Sequence, residues 1–369
     1  MTKSQGKLLS RRRVLQFGTA LGGSLLVPFA RAQTGSKAPP KELVKWTHMM
    51  GSAIDVGAAF LWVGKELGYF AEEGIDLQVQ GSQGNAQAIQ LLTAERVDSV
   101  SPAPDALLAS AARGQAAPVR AVYLYVPRLH YVPAVRPDSP ITKPTDLKGK
   151  RVGVFTMAHA GVNYIKAYAV EAGLDPDKDF EILAVGQGLQ AAEALSSGKV
   201  DALVHWDVTY RAMEDNGYKL RYLPQSKLGK DMFALTLAVH DKSLKSRRQE
   251  TQGWLRAVNK TIVFTLENPE AAAVLHYKMF PETKATGKSY EQVIKEGASI
   301  IRARAPQMVP ANEKMRGAFD EAGWRAWTRF MALDDKVKDV SQFYTNEFIA
   351  GANQFDLESL KKWARAYKA

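Results

Sequence analysis

The chain has 369 residues, with 49 Lys and Arg against 38 Asp and Glu, a formal net charge of +11 and no cysteine. Without cysteine there are no disulfides, thiolate nucleophiles, cysteine zinc ligands or lipid-modified N-terminal cysteine. Six basic residues and no acid fall before residue 33, so the rest of the chain carries about +5 on scattered positions, which does not suit a nucleic-acid partner.

Residues 1–32 read as an export signal and not as part of the fold. "SRRRVLQFG", Ser10 to Gly18, sets paired arginines before the apolar run "VLQFGTALGGSLLV", and "ARA" ends the segment at Ala32 with small residues suited to cleavage. The run is about 14 residues, too short and too glycine-rich to span a bilayer of roughly 30 Å. Ser10, the arginines and Val14-Leu15 resemble a twin-arginine signal; a plain secretory signal is the alternative. The mature protein is therefore expected to be soluble in the periplasm after cleavage near Ala32, with 33–42, "TGSKAPPKE" and its flanks, as a leader. What remains exceeds the size at which one core usually keeps growing, so two lobes are expected.

In chain order, Leu43 to His48 reads as a strand running into the small turn "MMGSA". "AAFLWVGKELGYF" places Phe60, Trp62 or Val63, and Leu67 at helical spacing, with Gly68 suited to the end of the helix. Ile75 to Gln80 alternates as a half-buried strand. A helix from Gly84 then leads through a polar turn into the strand "VDSVS". "PAPDALLASAARG" is a helix bracketed by proline and glycine. Val119 to Val126 is a further strand, and "HYVPAV" carries the chain onward. Arg151 to Phe155 then opens a second strand-turn-helix unit, with a helix from about 158 to 172, the strand "DFEILAVG", a helix from Gly188 and the strand "VDALVHW".

"LTAERVDSV" (92–100) and "LSSGKVDAL" (195–203) match position by position. Each follows a glycine-led apolar stretch, so 43–126 and 150–206 run through the same order of elements. The implied fold class is α/β: two lobes of mixed, mostly parallel sheet joined by right-handed helical crossovers, with flanking helices and a helical C-terminal tail. Phe233 to Asp241 reads as a returning strand. Two helices meet near Asn268-Pro269, since proline disfavours helical geometry before it. Amphipathic stretches near 313–332 and 341–367 finish the tail, which is expected to pack on the first lobe. The lobes are placed at 43–130 and 131–232, with 233–369 returning to the first.

"GYFAEEGIDLQV", "DLKGKRVGV", "EAGLDPDKDFEI", "ALSSGKVDALVHWD" and "ENPEAA" resemble, in order, the landmarks of periplasmic substrate-binding proteins of the nitrate, taurine and alkanesulfonate group, which also includes binders of thiamine-pyrimidine precursors. The resemblance covers roughly residues 43–275. It implies a type II periplasmic binding fold, hinge strands near 125–135 and 230–240, and closure over a ligand that an ABC importer, an inner-membrane permease with its ATPase, then receives. A monomer without cofactor or metal is expected.

Ligands of open α/β sheets bind beyond the carboxyl ends of the strands. On the first rim this selects His48 and Met49, Gln83 to Asn85, and Ser101 with Asp105. On the second it selects Thr156 and His159, Gln187, then His205, Trp206 and Asp207, and Tyr125 sits near the hinge. Asp105 and Asp207 are equally suited to helix capping. Trp206 suits a flat apolar wall, and the helix start at Thr156 to Gly161 can hold an anionic group. Two acids and an aromatic favour an organic solute, whether aromatic, heterocyclic or organosulfur, over nitrate. The alternatives are a ligand-presenting sensor subunit and an enzyme like the pyrimidine synthase and desulfinase of this fold. For the enzyme, their cysteine chemistry is missing, and no HExxH, GxSxG or P-loop pattern occurs.

Overall fold

Among the described residues ten strands form two five-stranded sheets. The computed structural model describes residues 42–369; the expected export signal and nearly all of the leader lie outside these residues. The first sheet runs β2-β1-β3-β10-β4, from β1 (Val44–Met49), β2 (Ile75–Gln80), β3 (Ser99–Val100), β4 (Val119–Val126) and β10 (Leu235–His240). The second runs β7-β6-β8-β5-β9, from β5 (Tyr131–Val135), β6 (Arg151–Val154), β7 (Glu181–Ala184), β8 (Ala202–Trp206) and β9 (Arg221–Tyr222). In each sheet three strands pair in parallel, and the next is antiparallel to them: β10 beside β3 in the first sheet and β5 beside β8 in the second. The chain passes between sheets twice, after β4 and before β10.

The repeated phrase has a physical role in this arrangement. Asp98 accepts the backbone N–H of Thr47 at 2.6 Å, and Asp201, at the matching position, accepts that of Arg151 at 2.9 Å. Each carboxylate thus pins the turn before the third parallel strand to the first, and each also pairs with an arginine, Arg247 or Arg151. Three residues earlier the backbone turns left-handed in both copies, at Glu95 (φ 55°) and at Gly198 (φ 73°). Glycine adopts that conformation freely, whereas glutamate is strained in it.

The helix read over "AAFLWVGKELGYF" is instead two 3₁₀ segments, Val56–Leu61 and Val63–Lys65, followed by a short helix, Tyr69–Glu72. Trp62, at φ −136°, leaves helical geometry between them, and Gly68 takes a left-handed φ of 82°. The second segment packs closely on the helix Arg248–Glu267: a Cβ on Gly64 would stand 2.0 Å from Thr261 Oγ1, so the position admits only glycine.

That helix ends where Pro269 begins the next, Pro269–Met279, with Asn268 capping the Ala271 N–H at 3.1 Å. Trp254 on its inner face stacks on Trp46 of β1 at 5.1 Å. The later helices are shorter than the amphipathic stretches suggest: Glu321–Phe330 in the first stretch, Ile349–Ala352 and Leu357–Ala366 in the second. A long helix, Tyr290–Arg304, precedes them.

Nor does this tail rest on the first lobe alone. Phe330 packs on Tyr164 of the second lobe at 5.4 Å, and Ser299 accepts from Arg211 at 2.8 Å. Both lobes present apolar side chains there, so the tail buries more surface by touching each. Among the described residues no helix is long and apolar enough to cross a membrane.

Candidate functional site

Between the sheets lies a narrow cleft with a cavity volume of about 40 Å³, well below the roughly 300–1,000 Å³ of small-molecule sites, so the lobes must part to admit a solute. The first lobe contributes Met50, Gly51 and Ser52 from the turn after β1, Asp55 just beyond it, and Asn85 and Ser101 from later strand ends. The second contributes His159, Trp206 and Val208. Tyr125 of β4, then His130 and Tyr131 at the first passage between sheets, form the back wall, and Arg304 enters from the end of its helix.

The aromatic wall is a packed cluster. Trp206 lies 4.9 Å from the His159 ring and meets Tyr131 edge-on at 6.4 Å. Phe155 completes it, edge-on to both Trp206 and His159. His159 Nδ1 accepts the Gly161 N–H at 3.3 Å, which in the neutral ring leaves the proton on Nε2 as a donor. Burial keeps the ring neutral, lowering its pKa to about 4.

The polar half of the cleft is under-satisfied. Tyr125 Oη, Asn85 Nδ2, both His130 ring nitrogens and Arg304 Nε are buried without a hydrogen-bond partner. Orphaned buried polar atoms are rare in native proteins and call for a ligand or water. Arg304 donates to Asp207 at 2.7 Å, the guanidinium 4% and the carboxylate 11% exposed. Asp55 accepts the Gly57 N–H at 2.8 Å, and burial raises its carboxyl to about 6 against the opposing pull of Arg304.

Of the residues selected from strand ends, Asn85, Ser101, Tyr125, His159 and Trp206 line this cleft. Gln83 and Thr156 meet where the lobes touch: the Thr156 hydroxyl donates to the Gln83 carbonyl at 2.8 Å. Asp105 also stands between lobes, accepting from Asn163 Nδ2 at 2.5 Å, with burial raising its pKa. Asp207 faces a wider neighbouring groove with Tyr210 and Tyr222.

His48, Met49, Gln187 and His205 do not line the cleft. Met50 reaches the cleft from the turn beyond the end of β1, where strand geometry no longer fixes its direction, while His48, inside the strand, turns to the helix side. His48 there lies 5.7 Å from the Trp254 ring, and its Nδ1 shares Ser99 Oγ with Trp46. His205 is fully buried on the face opposite Trp206, and burial lowers both histidines to about 3. Gln187 is half-buried in the turn before Leu189–Ser196.

Asp55, His130, Tyr131 and Arg304 escaped sequence reasoning. Asp55 had a local signal, an acid closing the small-residue turn after β1, where it caps Val56–Leu61. His130 and Tyr131 lie in "RLHYVPAV", within the expected hinge. Arg304 had none, because only tertiary packing brings its helix to the cleft.

Two facing α/β lobes with two passages between them, around a cleft walled by aromatics and unsatisfied polar groups, define the periplasmic-binding-protein class of fold. Within it the chain belongs to the NMT1/THI5-like family, whose sequence model matches residues 56–272. It is 25% identical over 278 residues to the formylaminopyrimidine-binding protein of Halalkalibacterium halodurans, covering 74% of this chain and 81% of that one. A solved structure from Bordetella bronchiseptica RB50 is similar at TM-score 0.66 and 22% identity, over 85% of this chain and 98% of that one. The periplasmic aliphatic sulphonate binding protein SsuA of Escherichia coli is similar at TM-score 0.57 and 18% identity, over 86% and 92%.

Proposed function

We propose that the protein captures a small planar organic solute between its lobes outside the inner membrane and delivers it to the permease of an ABC importer. The observation that carries this reading is the cleft itself: a Trp206–His159–Tyr131 wall beside buried polar atoms of Tyr125, Asn85 and His130 that lack partners. A flat ring stacks on such a wall, and ring nitrogens or exocyclic groups satisfy the orphans. The relative that binds formylaminopyrimidine supports a heterocycle of that kind. The arginine-led signal sequence supports export, and the single chain is read as a monomer that closes on its ligand.

Mass spectrometry of small molecules released from protein purified from its own host tests the proposal, with titration of formylaminopyrimidine as the first probe. Binding should reduce the radius of gyration in solution scattering as the lobes close. If the protein releases no solute and neither formylaminopyrimidine nor any other heterocycle compacts it, capture is refuted.

A further inference from the structure

Among the described residues, Asp55 and Arg304 are the two charged side chains that line the cleft; each feels the other's charge, but no salt bridge joins them. Arg304 is already committed to Asp207, at 2.7 Å in a buried pair. Asp55 accepts the Gly57 N–H at 2.8 Å, and among the described residues it has no salt-bridge partner. His130 and His159, the other titratable neighbours on the wall, are held neutral by burial. Tyr125 and Tyr131 are likewise kept neutral. Counting Asp207, which meets Arg304 from the neighbouring groove, two carboxyl groups share one guanidinium.

We infer that Asp55 sets the charge specificity of the cleft: it selects a planar solute bearing an exocyclic amine or amidinium edge and rejects anions such as sulfonates. This rests on the capture reading above. A carboxylate accepts two parallel N–H bonds from an N–C–N edge, and desolvation makes its repulsion of an anion far stronger than in water. The cleft therefore works against the ligand type of the sulphonate-binding protein whose fold it shares.

The test uses the mature protein and three rings of similar size: neutral 4-aminopyrimidine, cationic benzamidine and anionic benzenesulfonate. Affinities come from calorimetry at pH 7.5. Wild type should hold the amine and the amidine roughly 30-fold or more tighter than the sulfonate, from the charge term alone. Asp55→Asn and Asp55→Ser both keep a capping acceptor for Gly57, so the fold should survive, as thermal melts will verify. Both should narrow the benzamidine-to-benzenesulfonate ratio by about tenfold or more. An unchanged ratio in both folded variants, or a wild type that prefers the sulfonate, overturns the role of Asp55. If no ring binds and a host-derived solute compacts wild type and both variants with equal affinity, Asp55 is also refuted while capture stands. If nothing compacts the protein, it is the capture reading that fails.

Discussion

Gly84 sits where the lobes meet, and replacing it by alanine should weaken binding through closure alone. Its φ of 152° lies in a region that side-chain-bearing residues rarely occupy, and an added Cβ would stand 2.7 Å from the Ala158 carbonyl oxygen and 3.0 Å from its carbon. Ordinary contact needs about 3.5 Å, so at this point the lobes must part by roughly an ångström. Ala158 offers backbone there, which cannot rotate aside. The separation also stretches the adjacent bond from the Thr156 hydroxyl to the Gln83 carbonyl, 2.8 Å long.

Overpacking costs about 1–3 kcal/mol. The closed form bears that cost, so affinity should fall about 5- to 150-fold. The conformational strain, by contrast, falls on open and closed forms alike and appears as a lower melting temperature. Calorimetric titration of the bound solute, with scattering in its presence and absence, separates the two effects. A melting temperature that falls while affinity stays within twofold of wild type refutes this account of the contact.

Trp206→Ala should cost about 3–5 kcal/mol of stability, since the side chain is 5% exposed within the aromatic cluster. It should also abolish the ligand-induced fluorescence change and weaken binding by at least about 1 kcal/mol; unchanged affinity in the folded variant removes Trp206 from the site. Glu95→Gly should stabilise the protein by up to about 1 kcal/mol by relieving its left-handed backbone, because the exposed pair with Lys242 that it loses is worth little. A drop in denaturation midpoint contradicts that.

For pH, burial raises the Asp55 carboxyl from 3.8 to about 6, so its stabilising proton is fully bound below about pH 4 and lost as pH rises through 6. Wild type should therefore gain stability relative to Asp55→Asn as pH falls from 7 toward 4, by at most about 3 kcal/mol. A gap between their melting temperatures that does not change with pH over that range contradicts it.

Much of the architecture was legible because it is written locally. Alternation placed β2 at its observed bounds, and Val119–Val126 likewise. The doubled phrase announced two equivalent units, and the break at Asn268-Pro269 fell where proline put it. Elsewhere the reading failed: the apparent helix is two 3₁₀ segments broken at Trp62, and the tail reached across to Tyr164.

The cleft divides along the same line. Asn85, Ser101, Tyr125, His159 and Trp206 were within reach because strand ends converge on it. His205 was misplaced by one step of the strand's alternation, and His48 because the cleft is reached only by the turn beyond β1; the sequence alone registers neither against the cleft.

By itself the sequence determined the repeat, most strand positions and the paired carboxylates Asp98 and Asp201, since each depends on neighbours a few residues away or on a pattern stated twice. Only the tertiary structure decided that Arg304 forms its salt bridge with Asp207 and not with Asp55. Those two carboxyls lie 152 residues apart in the chain. Which of them takes the single guanidinium depends on how a distant helix packs, and no local pattern carries that distance.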